Sequence, residues 1–152
     1  MDEKSLSKLK EILESGELID RLEALKEISN IDNTRANSLL FSALSSDSWH
    51  LRDLAAKLAG SRGEKFVDKL INMLKSEVWY LRASVAQALG YTGSLRAVEP
   101  LLNLLEDRNL TVRDNVVESL RKIIEKNGWG EVENKLSQEK IEKLKGVIES
   151  YE

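Results

Sequence analysis

Three segments of the sequence align on an arginine: Trp49-His50-Leu51-Arg52, Trp79-Tyr80-Leu81-Arg82 and Leu110-Thr111-Val112-Arg113. The arginines stand 30 and 31 positions apart, and a fainter copy at Arg21 lies 31 positions before Arg52. Behind each runs a small-and-aliphatic stretch, such as Leu54, Ala55, Leu58, Ala59 and Gly60, or Val85, Ala86, Ala88, Leu89 and Gly90. A second series interleaves with the first. Leu9, Leu40, Ile71 and Leu102 recur every 31 residues, and Leu13, Leu44, Leu74 and Leu105 keep that interval to within one. Two independent registers with one period restrict the chain to an array of like units, each too small to bury its apolar face without a neighbour.

Within each copy the apolar residues recur at three and four, as in Leu6-Leu9-Leu13, which is helix periodicity. Each unit therefore reads as an outer helix, a short turn and an inner helix. Asp47-Ser48 and Ser76-Glu77 precede inner helices and are expected to supply N-cap oxygens and first-turn negative charge. Gly60, Gly63, Gly90 and Gly93 follow inner helices, where a left-handed residue would end them. Ala55, Ala56, Ala59, Ala86 and Ala88 are small enough to let neighbouring units approach closely. The repeats are placed at about 5–31, 33–62, 64–93 and 95–126, within a single domain over 1–152. After the break at Asn127-Gly128-Trp129-Gly130, residues 131–152 carry Ile141, Leu144, Val147 and Ile148 on one helical face. Their weak repeat identity fits a cap over the last apolar face.

Composition narrows the chemistry. The 152 residues include no Cys and one His, which excludes thiol chemistry and most transition-metal sites, so no cofactor is expected. Lys+Arg 23 against Asp+Glu 26 gives a net charge of −3, which argues against affinity built on phosphate neutralisation. The start, Met1-Asp2-Glu3-Lys4, is polar with no apolar stretch behind it, and no run reaches the roughly 20 apolar residues of a bilayer span. A cytoplasmic protein that does not enter a membrane is the expectation, with its oligomeric state left open.

The stretches Leu95-Arg96-Ala97-Val98-Glu99-Pro100-Leu101-Leu102 and Val85-Ala86-Gln87-Ala88-Leu89-Gly90 resemble HEAT repeats of the short, phycobilisome-lyase-like kind. The similarity covers about Leu6 to Ile124 and is best in the middle two units. It implies an all-α fold, a right-handed alpha-alpha superhelix of about four HEAT-like helix pairs with a C-terminal helical cap. It says little about function, since such folds carry scaffolds, regulators, enzyme subunits and a few catalysts.

The repeated Arg21, Arg52, Arg82 and Arg113 suggest a basic stripe for phosphate. The resemblance implies a structural use instead, in which each pairs with an acid near the preceding turn of its own or a neighbouring unit. Asp47, Glu77 and Asp107 stand just ahead of three of them, and a ladder of charge-assisted hydrogen bonds accounts for both members.

Binding residues are sought on the inner helices. Positions two before, one after and five after each arginine share one face. They are His50, Asp53 and Lys57, then Tyr80, Ala83 and Gln87, then Thr111, Asp114 and Glu118, with Ile19, Leu22 and Lys26 in the first unit. Trp49 and Trp79 stand three before the arginine. Each indole either plugs the gap between its unit's two helices, the reading preferred from sequence, or anchors a partner, since Trp and Tyr dominate many binding surfaces.

The pattern points to a non-catalytic scaffold or adaptor for a protein partner. The alternative is a regulatory or accessory subunit of an enzyme complex. Catalysis is disfavoured because His50 has no base-orienting partner evident from spacing, and the His-Glu pairs of iron-binding HEAT hydroxylases are missing. Nucleic acid is disfavoured because Asp53, Asp114 and Glu118 would face the phosphates.

Overall fold

The computed structural model describes residues 2–151, and among these the regular structure is helical throughout. Ten α-helices follow one another: α1 (Glu3–Ser15), α2 (Leu18–Ser29), α3 (Thr34–Ser42), α4 (Trp49–Gly60), α5 (Val67–Met73), α6 (Trp79–Thr92), α7 (Val98–Leu102), α8 (Leu110–Asn127), α9 (Trp129–Glu133) and α10 (Gln138–Ser150). Short 3₁₀ turns at Ala43–Ser45, Gly63–Phe66 and Leu95–Ala97 extend or introduce the first helix of a pair. The chain divides into two compact units, residues 1–59 and 60–152.

In the first unit α1 packs on α2 and α2 on α3. Leu6, Leu25, Ile28, Leu40 and Leu44 are fully buried there. Each such side chain contributes about 1.5–3 kcal/mol on leaving water. The helix starts are chosen by short polar side chains: Asp2 accepts from the Ser5 N–H at 2.8 Å, and Asn33 from the Ala36 N–H at 2.8 Å. Those oxygens satisfy amides that a helix leaves unpaired in its first turn.

In the second unit α6 lies between α5 and α8, and it is buried on nearly every side, from Arg82 to Ala86 and from Ala88 to Gly90. Its neighbour α8 keeps one wet face, with Val112, Val116, Val117, Leu120 and Ile123 turned inward. The two approach closely because α6 offers small residues. A Cβ added at Gly90 would stand 2.4 Å from the Ser119 Oγ and 2.8 Å from the Ser119 Cα. The contact is also polar. The Asn115 side-chain amide donates to the Ala83 carbonyl at 3.0 Å, the Ser119 hydroxyl to the Ala86 carbonyl at 2.6 Å, and the Asn127 amide to the Gly93 carbonyl at 2.8 Å. At the end of this unit α9 and α10 pack on α8, and Ile141, Leu144 and Ile148 are buried.

Two local expectations need correction. Gly93 ends α6 at φ 66° and Gly63 follows α4 at φ 61°, but Gly90 lies inside α6 and Gly60 is the last residue of α4 without a left-handed φ, and their missing side chains serve packing. The N-cap position of α6 is Val78, without a side-chain bond, because Ser76 Oγ accepts the Val78 N–H at 3.1 Å and holds the turn instead. Ser48 does cap α4, accepting from the Leu51 N–H at 3.4 Å.

Candidate functional site

The arginine register is best understood from the turns that precede it. Six residues before Arg52, Arg82 and Arg113 stand Ser46, Ser76 and Asp107. Each closes its turn by accepting, on its side chain, the N–H two residues on: Ser48 at 3.2 Å, Val78 at 3.1 Å and Asn109 at 2.9 Å. Each also offers its carbonyl to the arginine Nη1, at 2.8, 3.0 and 2.6 Å respectively. The repeated arginines thus bind first to backbone, tying the start of each second helix to its own turn. Arg82 adds the Glu77 carbonyl at 3.1 Å.

Asp107 does one thing more. Its carboxylate takes the Nε and Nη2 of Arg82 at 2.9 and 3.0 Å, the two-pronged geometry in which a guanidinium binds a carboxylate most strongly. Both side chains are only 8% exposed. Burial would by itself raise the Asp107 pKa and is the largest single influence. The Arg82 hydrogen bonds, the Asn109 N–H and the Arg82 and Arg108 charges together outweigh it, and the carboxyl sits below its usual value of 3.8. Asp47, one place later in its turn, lies 3.7 Å from Arg21 Nη2 and is 90% exposed. The Glu77 side chain is exposed.

In each unit the second helices also expose large apolar residues at their starts. Trp49 is 58% and Trp79 42% exposed, so neither indole plugs the gap between its helices, against the reading preferred from sequence. Both are the first residue of their helix, where a side chain points out past the end of the packed interface rather than into it. Trp49 stacks on His50 with ring centroids 3.7 Å apart, and Trp79 meets Tyr80 edge-on at 5.7 Å. The same register position holds Leu18 in α2 and Leu110 in α8, 37% and 59% exposed. Neither leucine was singled out from sequence, although the position three before the arginine was legible in all four copies.

The remaining candidates divide. His50, Asp53 and Lys57 in the first unit, and Thr111, Asp114 and Glu118 in the second, are exposed; Glu118 pairs with Lys122 at 3.2 Å. Tyr80 and Gln87 on α6 are half-buried, and Ala83 between them is buried, its carbonyl taken by Asn115. Among the described residues His50 makes no hydrogen bond to a carboxylate, and no group of three or more His, Asp or Glu side chains is placed to hold a metal ion.

A family model of HEAT repeats matches residues 67–149. The chain belongs to the HEAT repeat family. The match covers 83 of the 152 residues and runs through α9 and α10, whose repeat identity is poor to the eye. HEAT repeat proteins are generally scaffolds for protein interaction and typically have no catalytic role. A comparison with curated proteins finds no match. No described helix is long and apolar enough to cross a membrane.

Proposed function

We propose that this HEAT repeat chain is a non-catalytic adaptor, each of whose two units offers the exposed starts of its second helices to a protein partner. One observation carries the reading. The position three before the repeated arginine is a large, exposed apolar residue in all four copies: Leu18, Trp49, Trp79 and Leu110. Solvated helix starts are ordinarily polar, so holding this position apolar in every copy favours contact with something. One or two turns further along, Asp53 and Lys57 in the first unit, and Asp114 and Glu118 in the second, would set register and charge preference. Tyr80 and Gln87 would contribute edges only, being half-buried. The repeat boundaries, the short phycobilisome-lyase-like character of the repeats and a cytoplasmic setting without cysteines belong to the same proposal.

The test is capture of partners by the wild-type chain, by Trp79→Ala/Leu110→Ala and by Trp49→Ala, each checked for fold by circular dichroism. One protein recovered by wild type and lost by the folded variants supports the adaptor reading. Equal recovery by all three removes it. If that protein is an enzyme whose activity the chain changes, the accessory-subunit role is the form the adaptor takes.

A further inference from the structure

We infer that the groove between α1 and α2 is a second docking site, independent of the one above, and that it takes a basic amphipathic helix. The groove comprises two adjoining cavities of about 300 and 340 Å³ that share Leu9, Ile12 and Glu27. Leu9, Ile12 and Ala24 line it with apolar surface, and Asp20, Glu23 and Glu27 stand along the α2 side. Lys8 and Ser5 line the α1 side. Glu23 is paired with Lys26 at 3.3 Å, whereas among the described residues Asp20 and Glu27 have no ion-pair partner.

The repeat register indicates how a helix would seat. Glu23 and Glu27 lie two and six residues after Arg21. The residues at those two positions after Arg113 are Asn115 and Ser119, which face the preceding second helix, α6, and donate to its Ala83 and Ala86 carbonyls. In α6 the same positions are Ser84 and Ala88, and both are buried. In α2 alone these helix-facing positions are acidic. The residue before the arginine changes likewise, from buried Val112 to exposed Asp20. A helix laid along α2 as α6 lies along α8 would meet carboxylates in place of an amide and a hydroxyl. The complement is a segment with small or aliphatic residues at i, i+3 or i+4, and i+7, flanked by Lys or Arg. A purely solvating face would need charge, but it would not need two cavities over an apolar floor.

The probe is an amidated 16-residue helical peptide of Leu, Ala and Lys in that pattern, titrated into the 15N-labelled full chain at about 0.15 M salt. A control peptide carries Glu at every Lys position. The expected result is saturable shifts of α1 and α2 amides with the lysine peptide only. Affinity should fall about tenfold in Glu23→Gln/Glu27→Gln and change less than about twofold in Glu131→Gln/Glu139→Gln, which removes equal charge at exposed positions elsewhere. Equal loss in both variants would mean attraction to net charge and would overturn the site, as would shifts confined to other helices or no binding. Self-association of the free chain that Glu23→Gln/Glu27→Gln abolishes in sedimentation would assign the groove to a second copy and equally overturn the proposal.

Discussion

The pairs Arg82–Asp107 and Arg21–Asp47 hold similar places in the repeat and are built differently. In the second unit the guanidinium is gripped on two sides, by turn carbonyls and by a carboxylate that an Asn109 N–H holds in place. In the first unit the link between α1 and α2 is only Gly16 and Glu17, so the residue six before Arg21 is Ser15, still within α1. Without a turn carbonyl at that position, Arg21 Nε donates to Leu13 O at 2.7 Å, and Asp47 stays in water 3.7 Å from its guanidinium. Turn length before the second helix decides whether the arginine finds a turn carbonyl, and the place of the acid in the following turn decides whether it also gains a carboxylate and is locked.

The largest expected effect breaks that lock. Asp107→Ala leaves Arg82 buried without its carboxylate and costs about 3–5 kcal/mol in urea-monitored stability. Next is the close approach the lock accompanies. Gly90→Ala costs about 1–3 kcal/mol, and Ser119→Ala does not rescue it, because the Ser119 Cβ and Cα at 2.7 and 2.8 Å remain in the way. Acid should sharpen the contrast. Because the folded Asp107 pKa is lowered, its contribution is complete above the ordinary 3.8 and is lost as pH falls through the folded value. The stability gap between wild type and Asp107→Asn should therefore narrow below about pH 4 and be constant above about pH 5. Trp49→Ala, with the more exposed indole, should cost about 1 kcal/mol, well short of the roughly 3–5 of a buried aromatic. Smallest of all, Asp47→Ala should change stability by less than about 0.5 kcal/mol, since exposed pairs at such distances contribute little.

Much of the fold was legible in the sequence, for a physical reason. The 31-residue period largely follows burial: Leu9, Leu40 and Leu102 of one series and Leu13, Leu44 and Leu74 of the other are buried, while Ile71 and Leu105 are half-buried. The pairings were harder. Asp107 looks like a counterpart of Asp47 and Glu77 when judged by charge, but its turn chemistry is that of Ser46 and Ser76. That equivalence depends on a backbone N–H two residues on, which charge counting does not register. The tryptophans were misjudged for a related reason. Aromatic size argues for burial, but at the first residue of a helix the direction of the side chain decides. Exposure of Leu18 and Leu110 follows from the same geometry, and the shared register would have exposed it had position been weighed above residue type. Half-burial of Tyr80 and Gln87 was out of reach, because α6 is covered on nearly all sides and its periodicity carries no face to read.

The central claim is that Arg82 is locked on both edges by turn carbonyls and the Asp107 carboxylate, whereas Arg21 is not. Side-chain NMR of the arginine Nη groups tests it most directly, since rotation about the guanidinium bonds slows when both edges are bonded. Arg82 should show separate, slowly exchanging Nη signals that collapse in Asp107→Asn, while those of Arg21 remain averaged and insensitive to Asp47→Asn. Equal averaging at Arg82 and Arg21, or equal restriction at both, would contradict the account.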